Sequence, residues 1–134
     1  MDELERIKLK KMKQLMGMTS TRRGYPNTPI ALTDASLEEV VNRYPLVVID
    51  CWAPWCYPCL MVAPIIDELA KRYAGRIVFG KLNVDENPRA ARAFGIMSIP
   101  TLLIMKGGKE VDRIVGALPK PHIIEKLRAH LVGR

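Results

Sequence analysis

Val47-Val48-Ile49-Asp50-Cys51-Trp52-Ala53-Pro54-Trp55-Cys56-Tyr57-Pro58-Cys59 is the stretch that decides how this chain folds. Leu46–Trp52 is an apolar run of strand length, broken only by Asp50, as expected of a central strand covered on both faces. It leads into a Cys-x-x-Cys placed where a helix should begin, with Pro58 in the first turn, where its missing N–H costs nothing. A helix start presents unpaired N–H groups and the positive end of the macrodipole, both of which stabilise a thiolate. Cys56 is therefore expected to be acidic and nucleophilic, and the pair reads as a site of dithiol–disulfide exchange.

Working outward, Val62, Ile65, Ile66, Leu69 and Tyr73 recur at helical spacing, which predicts a helix from Cys56 to about Tyr73, kinked at Pro64. Upstream, Ile30-Ala31-Leu32 predicts a short edge strand, and Asp34 or Ser36 is expected to cap a helix ending near Arg43. Downstream come a strand over Ile77–Val84, a short helix over Pro88–Phe94, and strands over Thr101–Met105 and Val111–Val115. These last two are joined through Lys106-Gly107-Gly108-Lys109, whose glycines supply the positive φ angles of a tight hairpin. A final helix with Pro121 at its first position buries Ile123, Ile124, Leu127 and Leu131. The order β-α-β-α-β-α-β-β-α predicts an α/β fold: a central mixed sheet, part parallel and part antiparallel, flanked by helices on both faces.

The 134 residues, 49% hydrophobic and 26% charged, suit one domain. Three cysteines are too few for a disulfide-framed secreted scaffold, and in a reducing compartment a CxxC is catalytic or metal-binding before it is structural. The N-terminus, Met1-Asp2-Glu3-Leu4-Glu5-Arg6, has no apolar signal core, and nowhere do about 18 apolar residues run uninterrupted. A soluble cytoplasmic protein is expected, without membrane attachment. The net charge of +7 is uneven: residues 1–28 hold seven basic side chains against three acidic, and residues 29–134 fourteen against eleven. Nucleic-acid binding is therefore not expected of the globular part. Residues 2–16 have near-helical apolar spacing interrupted by Lys8 and Lys11, and Gly17–Asn27 has linker composition. The boundary is placed near Thr28, between a basic extension (1–28) and a folded domain (29–134).

CxxC spacing alone also serves half a zinc site. Zinc wants four ligands, however, and His122 and His130 sit far away on the C-terminal helix, where they read as solvent-facing, so no metal is expected. Asp50 is costly to bury as an anion: it is either a proton relay with a raised pKa or a strand-end residue bonding a turn. Lys81, in the next β-run, could reach it or simply face solvent. Pro100 before a strand is either punctuation or a cis bond, Gly116 could only end its strand, and Trp52 and Trp55 default to core packing.

Taken together these segments resemble the thioredoxin family. Val48–Cys59 is similar to its strand and WCxPC site, continued by Ala63-Pro64 and Asp67-Glu68-Leu69-Ala70. Lys81–Pro88, Ile99-Pro100-Thr101 and Val115-Gly116-Ala117 match later family segments in order and spacing. The resemblance covers about residues 29–134 and implies the thioredoxin fold. It also implies that Cys56 attacks target disulfides, Cys59 resolves the mixed disulfide, Asp50 accepts the Cys59 proton, Lys81 is the partner of Asp50, and Pro100 is a cis-proline facing the disulfide. Trp55, Pro54, Ile99, Gly116 and Ala117 would form an apolar docking surface, with the Ile99 backbone pairing to an extended target peptide. The implied partners are disulfide-containing proteins and thioredoxin reductase or another electron donor, with no bound cofactor and a monomeric state.

Three positions depart from the family pattern. Tyr57-Pro58 replaces the usual Gly-Pro, Leu60 replaces a lysine, and Cys51 stands where an aromatic or aliphatic residue is usual. Loss of a cation and gain of a ring beside Cys56 bear on the redox potential, and they keep a glutaredoxin-like or isomerase-like activity, or a binding module on this fold, as alternatives. Cys51 reads as a buried packing thiol.

Overall fold

The computed structural model describes residues 24–131; the helix expected over residues 2–16 lies outside the described residues. The elements are β1 (Ile30–Leu32), α1 (Leu37–Arg43), β2 (Leu46–Trp52), α2 (Tyr57–Arg72), β3 (Val78–Asn83), α3 (Pro88–Ala93), β4 (Thr101–Lys106), β5 (Lys109–Val115) and α4 (Lys120–Leu131). The strands form one sheet in the order β1-β3-β2-β4-β5. β1, β3 and β2 are parallel, while β4 and β5 add antiparallel to β2.

This order divides the helices between the two faces. The connection from β1 to β2 and that from β2 to β3 run across the sheet in opposite directions. Right-handed crossovers then put α1 on one face and α2 on the other. Side chains alternate along β2 accordingly: Leu46 and Val48 pack with Val62, Ile66 and Leu69 of α2 and with Ile123 and Leu127 of α4. Val47, Ile49 and Cys51 pack with Val41 of α1 and Ala90 of α3. Fully burying each such aliphatic side chain is worth about 1.5–3 kcal/mol, so β2, clamped between both layers, is the most strongly held strand. Its carboxyl end, where the crossovers diverge, opens the crevice in which α/β folds place their sites.

Local sequence chemistry is borne out at most element ends. Gly107 and Gly108 have φ of 63° and 82° and close the β4–β5 hairpin, which is longer than expected: pairing starts at Lys106 and Lys109. A bulge accompanies it, Met105 pairing with Glu110 while Ile104 pairs with Asp112. α2 runs on through Pro64, and α4 starts at Lys120, one residue before the expected Pro121. Ile123 and Leu127 are buried in α4, whereas Ile124 is partly so. Upstream of the expected boundary, Tyr25 packs against the Val41 cluster and meets the Tyr44 ring edge-on at 5.0 Å.

Two expectations are corrected. Ser36 occupies the N-cap of α1, but its side chain bonds no amide of that helix; its hydroxyl accepts instead from Thr33 N–H at 3.0 Å. Asp34 caps a different helix: its Oδ1 accepts from Ala90 N–H in α3 at 2.7 Å, while its own N–H donates to Asn87 Oδ1 at 2.9 Å. A partner 56 residues distant has no local signature. Asp34→Ala is expected to lower stability by about 1 kcal/mol, the usual cost of a lost N-cap, read as a lower urea midpoint at unchanged slope. An unchanged midpoint would show that the Asp34–Ala90 bond contributes nothing to holding α3. The second correction is His130, which is not solvent-facing. Its Nε2 lies 3.0 Å from Asp112 Oδ2, and this bond, first among several contacts, holds the Asp112 carboxyl below the usual range.

Candidate active site

β2 delivers the chain to the crevice through Ala53, a fully buried residue whose carbonyl accepts from Cys56 N–H at 3.1 Å. Cys56 is the N-cap of α2, with extended backbone, and its sulfur accepts from Cys59 N–H at 3.2 Å. The two cysteines are joined in a disulfide, their Cα atoms 5.2 Å apart. Both are almost fully buried, packed with Ala53 and with the partly buried Trp52, Val84 and Ile99. The helix start thus does for sulfur what it does for a capping oxygen: it aims an unsatisfied amide at the atom that becomes negative when the pair is reduced.

Asp50 lies on the α2 side of the sheet, following the alternation set by Leu46 and Val48. Its residue is 1% exposed, and neither carboxylate oxygen has a hydrogen-bond partner among the described residues. Lys81 is its register partner across β3, with Nζ 3.7 Å from Asp50 Oδ2; that is an ion pair too long to be a hydrogen bond. Burial pushes the Asp50 carboxyl up to about 6, with Lys81 pulling the other way and Asp67 adding to the rise. Lys81 is held over the Trp52 ring, 5.0 Å from its centre, and its side chain is partly exposed. The arrangement can take up and release a proton near neutrality on the same side of the sheet as the helix that carries Cys59. Cys51 points to the opposite face, is fully buried, and is pushed up to about 12, chiefly by burial and next by the Asp50 charge. It is a packing thiol, inert to exchange.

Pro100 follows a cis peptide bond from Ile99 and is buried; its carbonyl accepts from Gly116 N–H at 2.8 Å, which ties the Gly116 turn to this segment. Gly116 has φ of 98°, a conformation that suits glycine. Among the described residues Ile99 makes no backbone hydrogen bond of its own, so its N–H and C=O are open to an incoming strand. Pro54, Trp55 and Ala117 are exposed. Trp55 and Ile99 also line a groove of about 420 Å³ with Val84, Ala91, Ile96 and Met97, whereas Pro54, Gly116 and Ala117 stand outside it.

Several contributors escaped the sequence reading. Asp85 is one: Trp55, 69% exposed and so on the surface that the resemblance implies, is held by its indole N–H, which donates to Asp85 Oδ2 at 2.8 Å. Asp85 is in turn placed by Asn83, whose Oδ1 accepts the Asp85 N–H at 3.0 Å. The Asn-x-Asp pattern marks such a turn, but the indole it would meet is not predictable from it. Tyr57, Leu60, Met61 and Met97 are exposed apolar residues, Met97 at 93% and in the lining of the groove with Trp55 and Ile99. Among the described residues no group of His, Cys, Asp and Glu is arranged to hold a metal, and no helix is long and apolar enough to cross a membrane.

The family model for thioredoxin matches residues 28–129. The chain is 52% identical over 100 residues to thioredoxin 2 of Chlorobaculum tepidum, covering 74% of this chain and 92% of that protein. It is 50% identical over 101 residues to thioredoxin 1 of a Nostoc species, covering 75% and 94%. Among solved structures it resembles a mutant thioredoxin from Halobacterium salinarum, with a TM-score of 0.74 at 28% identity, covering 79% of this chain and 93% of that one.

Proposed function

From the premise that this chain belongs to the thioredoxin family and is a protein-disulfide oxidoreductase working through Cys56 and Cys59, we propose how its residues divide the chemistry and in which direction electrons flow. In the reduced protein the Cys56 thiolate attacks a target disulfide, one target sulfur leaves as thiolate, and a mixed disulfide forms. Cys59 then loses its proton to the Asp50 carboxylate and attacks the Cys56 sulfur. The second target sulfur departs and takes up a proton, and the Cys56–Cys59 disulfide is restored. Lys81 keeps Asp50 within reach of neutrality by opposing the effect of burial. Ile99 pairs with the extended target chain, Pro100 sets that strand's position, and Trp55, Pro54, Gly116 and Ala117 form the apolar floor.

The observation that carries this reading is the Cys56 sulfur at the N-cap of α2 receiving the Cys59 amide. Net reduction of targets requires an external dithiol or flavoprotein donor. We further propose a thioredoxin reductase as that donor, a monomeric working state, a cytoplasmic setting, and residues 29–134 as the catalytic unit with 1–28 as a basic extension. Insulin reduction followed by turbidity tests the donor assignment: NADPH with a thioredoxin reductase should sustain turnover at least about tenfold faster than glutathione at equal reducing equivalents. Equal or faster turnover with glutathione would place the protein among glutaredoxin-like enzymes, the activity that Tyr57 between the cysteines keeps in play.

A further inference from the structure

At the end of α2 remote from the disulfide, Arg72, Arg76 and Arg128 line one pocket of about 250 Å³, together with Tyr73 and Leu131. Three segments converge there: the last turn of α2, the turn leading to β3, and the last turn of α4. Tyr73 is buried and its N–H donates to Leu69 O at 2.9 Å, so its ring is a fixed platform. The guanidinium carbons of Arg72 and Arg76 stand 5.6 and 5.1 Å from the centre of that ring. None of the three arginines has a carboxylate within ion-pair distance among the described residues; the acids that do pair with cations hold Lys81, Arg113, Lys120, Lys126 and His130 instead.

Cations at helix C-termini complement the macrodipole, which accounts for a basic residue at each helix end. It does not account for three guanidiniums, drawn from three segments, sharing one pocket with no carboxylate among the described residues paired to any of them. We propose that this pocket binds a compact phosphate-bearing anion, with a diphosphate group as the matching probe. Guanidinium forks pair bidentately with phosphate oxygens, and a volume of about 250 Å³ lies just below the usual range for small-molecule sites, so a small, multiply charged oxyanion fits better than a larger ligand. The 16 residues of α2 separate the pocket from Cys56 by roughly 24 Å along the helix axis, so occupancy leaves thiol exchange untouched.

Titrating inorganic pyrophosphate into the labelled full chain at constant ionic strength should give saturable NMR shifts at Arg72, Tyr73, Arg76 and Arg128. Arg76→Ala and Arg128→Ala should each weaken the affinity at least about tenfold while insulin reduction stays at the parent rate, which also shows that both variants fold. Shifts reproduced by chloride at matched ionic strength, or shifts that persist unchanged in both variants, overturn the proposal. A parallel arm with phosphatidylserine vesicles separates a free anion from a lipid headgroup: co-sedimentation without saturable pyrophosphate binding also overturns it.

Discussion

Cys56→Ser is expected to bring insulin reduction down to the uncatalysed background, a fall of roughly three orders of magnitude or more, because a hydroxyl at this N-cap supplies no nucleophile for the covalent step. The substitution is nearly isosteric, and serine is itself a favoured N-cap that can accept the Cys59 amide as the sulfur does, so α2 should keep its stability. Loss of activity without loss of fold therefore isolates the chemistry. Cys59→Ser sharpens the assignment, since it leaves the attack intact and removes only resolution. That variant should accumulate a covalent mixed disulfide with a target protein, visible as a reducible mass increase. Retained turnover in Cys56→Ser would rule out the dithiol mechanism, and a trapped adduct in Cys56→Ser with none in Cys59→Ser would reverse the roles of the two sulfurs.

Asp50→Asn should act on stability and rate in opposite directions. The folded carboxyl titrates near 6 and the unfolded one near 3.8. Below both values the group is protonated in either state and contributes nothing. Between them the folded protein holds a proton that the unfolded chain has released, so stability falls as pH rises through this window, and above about 6 the full penalty is present. A rise of this size corresponds to at most about 3 kcal/mol, so Asn at position 50 should stabilise the protein by about 1–3 kcal/mol at pH 7.5, the lower figure allowing for Lys81 left without its partner. The gain should shrink towards zero near pH 4. Over the same range, resolution of the mixed disulfide should slow about tenfold or more while its formation changes little, because the base that takes up the Cys59 proton is gone. Urea midpoints measured against pH, alongside stopped-flow traces of the two steps, check both halves. A stabilisation that grows on acidification would contradict the linkage, and equal slowing of both steps would remove Asp50 from the proton path.

These expectations differ in how visible they were beforehand. The disulfide site was legible because strand, Cys-x-x-Cys and helix are consecutive: Leu46–Trp52 sets a direction, and Pro58 with the Val62, Ile66, Leu69 spacing sets the helix whose first amides face Cys56. The unusual carboxyl was legible too, since any ionisable group in the middle of an apolar run is conspicuous, and its partner Lys81 lies on the neighbouring strand. Asp34 failed as a local cap because the amide it serves, Ala90, arrives from beyond two helices and two strands. His130 looked exposed by helical position, yet α4 crosses β5 so as to bring its ring to Asp112. Residue type alone would have put Trp55 in the core and the family resemblance put it on the docking surface; it is exposed, and what no sequence pattern announced is the Asp85 carboxylate that holds its indole there.

Periodicity, glycine and proline placement and the Cys-x-x-Cys were enough by themselves to determine the element order, the two-faced burial of β2 and the nature of the reactive pair, because each depends on residues within a few positions of one another. Which side chains meet across the sheet was decided only by tertiary packing: the Asp50–Lys81 separation, the indole anchored on Asp85, Asp34 spanning to α3, and three arginines gathered around Tyr73. Those contacts join residues remote in the chain, and their distances follow from how the crossovers stack the helices, a property that no short window of sequence contains.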